Sequence, residues 1–265
     1  MSLALRNAKY IPEVEAWLAE CNGLPSDSYL ANLTTLVQGM IFDGDWSHIV
    51  RYWIFAQENT SWNNRKISLK IPSFPQTVEN GSITLSTTGL TGDGSTGYID
   101  LSYNQYLHYS GAANVNSWGM GYYTLTDGIQ AAIDMGVIDS ATSPSTDSYL
   151  SGRFTGGVMA GIMNGSNAVT NAIGSNASCL AMQSIQTNAG TTTGYNRGVS
   201  KGTNTNTGYG IPKIGTFLMA YNNGSSAASF TTRKYSMAFI DDGQANHLKL
   251  YNRFQTFATA QGFNI

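Results

Sequence analysis

The most constraining feature of this sequence is a change in the pattern of apolar and polar residues near Lys66. Beyond it, short runs that alternate apolar and polar residues are separated by clusters of Gly, Asn and Ser. Alternation with a period of two indicates half-buried strands, and closely spaced turn clusters are typical of a β-sandwich. The runs that we interpret as strands are Ile83–Leu85, Gly97–Tyr103, Asn116–Thr124, Thr155–Met163, Ser178–Thr187, Thr192–Val199, Phe217–Asn222 and Thr231–Ile240.

The residues before Lys66 follow a helical period instead. Pro12 favours a helix start and Gly23 a stop, and either Ser26 or Asp27 can cap a second helix that ends before Gly44. The apolar positions that define the two helices are Ile11, Val14, Leu18 and Cys21, then Leu30, Leu33, Val37 and Ile41. A buried strand over residues 49–56 and a loop over residues 60–64 follow this helical hairpin.

The chain closes on a predicted amphipathic helix over about residues 245–261, capped by Asp241 or Asp242 and stopped by Gly262. Its apolar stripe consists of Leu248, Tyr251, Phe254, Phe257 and Ala258. Residues 128–135 are compatible with either a helical turn or an ordered loop. We therefore expect a mainly β sandwich, with residues 1–65 forming a helical lead-in and first strand, and residues 66–265 forming the sandwich and final helix.

Composition limits the classes of partner. Only 11% of the residues are charged and the net charge is −2, with Lys and Arg scattered, so we expect no binding to nucleic acid. We also expect neither a signal peptide nor a membrane-inserted segment, because no apolar run is long enough. Cys21 and Cys179 are interpreted as small buried residues rather than a disulfide or zinc pair. A surface of hydroxyls, amides and aromatics suits uncharged partners such as glycans, or other protein subunits.

Three segments together resemble a known family. They are GLTGDGSTGYIDLSYN (89–104), SCLAMQSIQTNAGTTTGYNRGVSKG (178–202) and RKYSMAFIDDGQANHLKLYNRFQTFATAQG (233–262). In order and spacing they are similar to the concanavalin A-like (laminin-G-like) jelly-roll domain of tailed-bacteriophage virion proteins. The run YLANLTTLVQGMIFDGDWSHIVRYWIFAQENT (29–60) is similar to the helical lead-in that such domains carry.

The resemblance implies a non-enzymatic virion protein, such as a capsid decoration, head fibre or tail appendage, that displays a glycan-binding attachment module. It also implies other virion proteins and a host surface glycan as partners, and a homo-oligomer or a subunit on an oligomeric platform. A purely structural assembly subunit is the alternative. The sequence departs from the family in the late turn, where Asp241 replaces a usual glycine and Gln244 a usual leucine.

A glycoside hydrolase of the same fold is a further alternative, and it would need two carboxylates flanking the scissile bond. The last glutamate is Glu79, and the aspartates beyond Asp100 are isolated or explained by turns. The histidines, His48, His108 and His247, show no metal-ligand spacing, and no G-x-S-x-G nucleophile motif occurs. From these absences we expect no enzyme and no catalytic residues.

Two loops have residue spacings that occur in ligand-binding loops of other proteins. Gly92–Gly97 matches the dinucleotide spacing G-x-G-x-x-G, but the residues that follow alternate like a strand and do not begin a helix, so we expect a turn. Asp43 and Asp45 could belong to a calcium loop, yet further oxygen ligands are missing, and a turn is the favoured interpretation. We expect no cofactor or metal, although structural calcium at the rim of the sandwich stays possible.

The candidates for glycan binding are aromatic rings that can stack on a sugar, close to groups that can hydrogen-bond its hydroxyls. One cluster, in NSWGMGYY (116–123), offers Trp118 and Tyr122. The other is Tyr195, Asn196 and Arg197, at the tip of a predicted hairpin. Core packing is the alternative role for each of these side chains.

Overall fold

The structure is a computed structural model, which describes residues 9–59, 62–109, 117–139, 146–155, 158–163, 171–172, 180–188, 190–205, 210–224 and 226–264. The helices are α1 Pro12–Glu20, α2 Asp27–Phe42, α3 Trp62–Arg65, α4 Gln105–His108 and α5 His247–Ala260. The strands are β1 Ile49–Ile54, β2 Val78–Asn80, β3 Ile83–Ser86, β4 Gly89–Gly92, β5 Tyr98–Asp100, β6 Trp118–Thr124, β7 Met135–Asp139, β8 Thr146–Ser151, β9 Ala160–Ile162, β10 Asn171–Ala172, β11 Ala181–Asn188, β12 Thr191–Asn196, β13 Val199–Thr205, β14 Phe217–Leu218, β15 Tyr221–Asn222, β16 Ala227–Ala228 and β17 Lys234–Asp241.

Two sheets form the predicted sandwich. Sheet 1 has the order β13-β12-β11-β6-β17-β4-β3, with β1 also paired to β17, and sheet 2 has the order β10-β9-β8-β7-β14-β5-β2. The pairs are antiparallel except that β15 runs parallel to β7. The expectation of a mainly β sandwich with an N-terminal helical hairpin and a C-terminal helix is confirmed. Because β1 pairs with β17, sheet 1 draws on both predicted segments of the chain.

Two apolar cores divide the molecule into three layers. Between the sheets lie Trp53, Phe55, Trp118, Tyr122 and Ile240, among others. Between the outer face of sheet 1 and the helices lie the alternate side chains of the same strands together with the apolar faces of α1, α2 and α5. Sheet 1 is therefore buried on both faces, which explains why β1, β6 and β17 are almost continuously buried.

The helices begin and end close to the predicted residues. The Ser26 side chain accepts a hydrogen bond from the Tyr29 amide, as expected of an N-cap. In α5 the buried stripe differs from the prediction, because Leu250 is buried whereas Leu248 is 46% exposed. Leu248 stands one residue after the first residue of the helix, where the chain faces the tip of the β12–β13 hairpin rather than the sheet.

Several strands escaped prediction, and others ended earlier than expected. The run over residues 217–222 is interrupted by Met219 at φ 72°, which separates β14 from β15. Residues 128–135 form bends that lead into β7 rather than a helix, and α3 occupies part of the predicted loop over residues 60–64. β13 was missed because its side chains are mostly exposed and carry no apolar alternation.

Candidate functional site

The end of sheet 1 where β17 finishes brings together the three histidines of the chain. We call His48, His108, His247, Asp241 and Asp242 the histidine rim. His48 precedes β1, whose Ile49 pairs with Asp241; His247 begins α5, just after β17. The His108 ring contacts the Tyr109 ring at 4.6 Å, and the Tyr109 hydroxyl donates to the Asp241 carbonyl oxygen at 3.4 Å. No sequence spacing could reveal this convergence.

Ser184, His247 and Asp241 form a connected array within the histidine rim. The Ser184 Oγ and His247 Nδ1 atoms are 2.8 Å apart, and His247 Nε2 lies 3.2 Å from Asp241 Oδ2. The order of contacts is that of a Ser-His-Asp triad, with the two ring nitrogens exchanged relative to the serine-protease arrangement. All three side chains are buried, and the Tyr195 ring packs on the imidazole at 4.5 Å. In this conformation the array ties β11, β17 and α5 together.

The remaining contacts of Asp241 explain the unusual late turn. Its Oδ1 accepts from the Gly243 amide at 2.7 Å, while Asp242 Oδ1 accepts from the Gln244 amide at 3.0 Å. Gly243 has φ 84°, and a Cβ there would lie 2.6 Å from the Trp118 amide nitrogen. The left-handed glycine of this turn is thus Gly243, and Asp241 holds it in place.

His48 and Asp242 form the more exposed part of the histidine rim. His48 Nδ1 lies 3.0 Å from Asp242 Oδ2, and both side chains are about one-third accessible. The Asp242 amide donates to the His48 carbonyl oxygen at 2.9 Å. A partly solvated pair of this kind contributes little net stability, at most about 1 kcal/mol, and its side chains can exchange partners with a ligand.

Three arginines of the described residues are buried, and they differ in how many hydrogen bonds their guanidinium groups make. Arg233 pairs with Asp134 at 2.5 Å and donates to two carbonyl oxygens. Arg65 donates to the carbonyl oxygens of Phe55, Gln57 and Asn59, and burial lowers its pKa to about 10. Arg51, which is only 5% exposed, makes one hydrogen bond, from Nη1 to the Val50 carbonyl oxygen at 2.7 Å.

Arg51 lies beside the histidine rim, in β1, with its guanidinium 3.7 Å from the centre of the Phe74 ring and 5.7 Å from that of Tyr103. Its Nε has no hydrogen-bond partner among the described residues. Burying an ion costs several kcal/mol, and a desolvated cation–π contact returns roughly 2 kcal/mol. Burial accordingly lowers the pKa of Arg51. It also lowers the pKa of His108, and the charge of Arg51 adds to that effect.

The predicted hairpin tip lies next to His247, at the start of α5. Tyr195 is half-buried, and its hydroxyl donates to Gln186 Oε1 at 3.3 Å; Asn196 is buried, and Arg197 is exposed. Arg197 and Gly198 adopt φ 53° and 73°. A Cβ at Gly198 would lie 2.4 Å from the Leu248 Cα, so the tip rests directly against the start of α5. Tyr195 and Arg197 are therefore the accessible members of this cluster.

The other predicted cluster lies in the interior. Trp118 and Tyr122 are fully buried between the sheets, so neither side chain can stack on a sugar in this conformation. The alternation of β6 points their side chains to the same face as Met120, into the core. Sequence alone did not distinguish this core role from a binding role, because a strand buried on both faces has no polar side. Glycan binding at either cluster stays a prediction.

Tyr122 instead belongs to a second buried polar cluster. Its hydroxyl donates to Asp134 Oδ2 at 2.8 Å, and the Tyr235 hydroxyl donates to Asp134 Oδ1. The Gly152 amide also donates to Oδ2, at 2.7 Å. Burial first, and the Asp134 charge second, raise the pKa of both tyrosines well above the ordinary value. With Arg233 as its counter-ion and no exposed member, this cluster is a structural network of the core.

The glycine-rich loop does not offer its amides to a phosphate. Asp93 Oδ1 accepts from the backbone amides of Ser95, Thr96 and Gly97 at 2.9, 2.8 and 2.8 Å. The Thr96 hydroxyl and these amides hold the pKa of Asp93 far below its usual range. Strand β5 follows at Tyr98, so the loop lacks both the helix and the free amides that a nucleotide site requires.

Asp43 and Asp45 also have protein partners. Asp43 accepts from Arg253 Nε at 2.7 Å, and Asp45 Oδ1 accepts from the Asn246 amide at 2.8 Å. Within the described ranges, no three or more His, Cys, Asp or Glu side chains lie together in a way that could hold a metal ion. Cys21 is a free thiol, and Cys179 lies outside the described residues. No helix in the described part of the chain is long and apolar enough to cross a membrane.

A cleft of about 220 Å³ lies between the helical layer and the β3–β4 turn. Its walls include Tyr29, Gln57, Glu58, Thr88 and Gln261. Glu58 is engaged there by the Ser26 amide and hydroxyl, at 2.7 and 2.5 Å. The cleft is smaller than the roughly 300–1,000 Å³ of typical small-molecule sites.

Comparison with solved structures identifies the fold. A sialidase from Trypanosoma rangeli in complex with sialic acid superposes with a TM-score of 0.52 at 11% identity, covering 89% of this chain and 40% of the sialidase. Domain 4 of a GH43 extracellular arabinanase from Geobacillus stearothermophilus, in complex with arabinotriose, gives a TM-score of 0.52 at 13% identity, covering 78% of this chain and 98% of that domain. No protein-family model matches the chain, and the curated proteins searched gave no match.

These neighbours correct one expectation from the sequence. The sequence predicts that the chain is not an enzyme, yet its fold neighbours include a mutant sialidase that displays trans-sialidase activity and a domain of an arabinanase. At this level of identity the likeness shows the fold alone, and the chain spans only 40% of the sialidase. Because this fold occurs in carbohydrate-active enzymes, neither the fold nor the absence of familiar motifs is a ground for excluding catalysis.

Proposed function

We propose that the chain is a carbohydrate-binding module that a bacteriophage displays on its virion for attachment to the host surface. The observation that carries the carbohydrate part is the hairpin tip. There, a half-buried tyrosine ring and an exposed arginine, Tyr195 and Arg197, stand two residues apart on a tight turn held against α5. The virion part rests on the resemblance of the three sequence segments to phage domains.

The geometry of the tip suits a shallow site for a sugar. Packing against His247 fixes the Tyr195 ring, and hydrogen bonding to Gln186 fixes its hydroxyl, so little rotamer entropy is lost when a sugar stacks on it. Arg197, two residues further along the turn, can donate hydrogen bonds to sugar hydroxyls. A solved domain that is almost entirely covered by this fold, domain 4 of the arabinanase, was determined with arabinotriose, which supports a sugar ligand for a module of this size.

Attachment by a shallow site calls for several copies. Sugar contacts of this kind replace hydrogen bonds to water, so each site is weak. Linked copies on a symmetric particle gain about 100 to 10,000-fold in avidity when they engage together. We therefore propose a homo-oligomer, or a subunit ordered on an oligomeric platform of other virion proteins.

The test is a glycan array that carries bacterial surface polysaccharides and arabinotriose, probed with the protein as a monomer and as a multivalent display. Tyr195→Ala and Arg197→Ala should each lower the binding of the preferred glycan by roughly tenfold, the loss of one good contact. Lys201→Ala removes an exposed charge from the same hairpin and should leave binding within twofold.

Melting curves of all variants establish that they are folded. If wild-type protein in multivalent form binds no glycan, or if both tip variants bind as wild type does, the proposed site is wrong and a purely structural virion role gains support. Each glycan that binds is also incubated with the protein and assayed for new reducing ends, because the fold includes glycosidases.

A further inference from the structure

We propose that Arg51 is an anion-binding residue, and that the glycan recognised by this chain carries a carboxylate or sulfate group. The anion site itself is independent of the proposed function, whereas its assignment to an acidic sugar rests on it. This ligand class departs from the neutral sugar that the composition suggested.

The first support is the unsatisfied guanidinium. Arg65 and Arg233 are buried structural arginines, and each donates three hydrogen bonds to carbonyl or carboxylate oxygens. Arg51 has five N–H donors and uses one bond, to Val50. Buried charges in proteins are normally paired, and no carboxylate of the described residues pairs with this one. An external anion would supply the missing acceptors.

The second support is the character of the surroundings. The rings of Phe74 and Tyr103 lie beside the Arg51 guanidinium, and the His108 imidazole is close enough to feel its charge. The Tyr103 hydroxyl is buried close to that of Tyr109, and it has no hydrogen-bond partner within 3.5 Å among the described residues. A carboxylate or sulfate that reached the guanidinium could accept from Arg51 and from this hydroxyl.

The third support is a route of access. The ring of Phe74 covers the guanidinium and is partly exposed. Phe74 lies in the turn Ile71–Phe74, which is closed by a hydrogen bond from the Phe74 amide to the Ile71 carbonyl oxygen at 3.0 Å. Its neighbours Ser73 and Pro75 are exposed. A turn with so few buried contacts moves at low cost, and rotation of one phenylalanine side chain would uncover the cation.

The experiment is a nuclear magnetic resonance titration of the Arg51 Nε–H group, assigned by its disappearance in Arg51→Met. The protein is titrated with sodium sulfate and, separately, with sodium chloride at matched ionic strength. It is then titrated with glucuronate and, separately, with glucose. We expect saturable shifts with sulfate and glucuronate, at least tenfold weaker responses to chloride and glucose, and loss of saturable binding in Arg51→Met. Phe74→Ala should bind sulfate several-fold more tightly. Lys201→Met, which removes an exposed cation elsewhere, should bind sulfate as wild type does.

Arg51→Met should melt at or above the wild-type temperature, because it replaces an unpaired buried charge by an apolar side chain of similar volume. If this variant does not fold, Arg51→Gln serves in its place. Equal responses to sulfate and chloride, or saturable sulfate binding that survives in the Arg51 variant, would overturn the proposal. Sulfate binding without binding to any glycan would leave the anion site standing and reject its assignment to an acidic sugar. Glycan binding without sulfate binding would reject the anion site and leave the proposed function standing.

Discussion

Docking of α5 on sheet 1 gives the sharpest quantitative test of this structure. Phe254 is fully buried, with its ring centre 4.8 Å from that of Tyr123 on β6, 5.7 Å from that of Phe257 and 6.3 Å from that of Phe263. Phe254→Ala leaves a cavity between helix and sheet. Substitutions of this kind cost about 3–5 kcal/mol. For a domain of this size each kcal/mol lowers the melting temperature by roughly 2–4 °C, so we expect a fall of about 6–20 °C.

Phe42→Ala is the matched control, because Phe42 ends α2 and is 86% exposed. Removing the same atoms there should change the unfolding free energy by less than about 0.5 kcal/mol. Differential scanning calorimetry of the two variants and the wild type provides the comparison. A Phe254→Ala protein that melts with the wild type, or a Phe42→Ala protein that loses as much as Phe254→Ala, would show that α5 is not docked as described.

Three further predictions concern other parts of the chain. Burial raises the pKa of Asp45 above its unfolded value, so the charged carboxylate destabilises the folded protein at neutral pH. Asp45→Asn should therefore raise the melting temperature at pH 7, and this gain should disappear below about pH 4, where the carboxyl is protonated in both states. A gain that persists at pH 3 would contradict the direction of the shift. Gly198→Ala should lower the free energy of unfolding more than Gly224→Ala does. Both glycines have positive φ, but only at Gly198 would an added Cβ meet backbone atoms, at 2.4 Å. Equal losses of unfolding free energy in chemical denaturation would refute the contact with α5. Calorimetry with NAD, ATP and GTP should give no saturable signal, since Asp93 occupies the amides of the glycine-rich loop, and micromolar binding of any of them would reject that account.

The helices and the buried central strands were predictable from local pattern. Ser26 caps α2 as its residue type suggested, and the apolar period of α5 identified Phe254 and Phe257 as buried. Residues 49–54 form a strand because their run of large apolar side chains, interrupted only by Arg51, needs burial on both faces. The short polar strands could not be predicted, because an exposed edge strand such as β13 carries no apolar alternation and forms only where its neighbour offers hydrogen bonds.

The sequence by itself determined the class of fold, since its alternating runs, turn clusters and amphipathic helices admit few architectures other than a β-sandwich with a helical layer. Tertiary structure decided everything about the site. It placed the predicted Trp118 and Tyr122 in the core and left Tyr195 and Arg197 accessible. It also brought His48, His108 and His247 to one end of a sheet, and it left Arg51 with no counter-ion among the described residues. The physical reason is that periodicity reports which face of an element is apolar, whereas the burial and pairing of a polar side chain depend on residues that are distant in the chain and meet only after it folds.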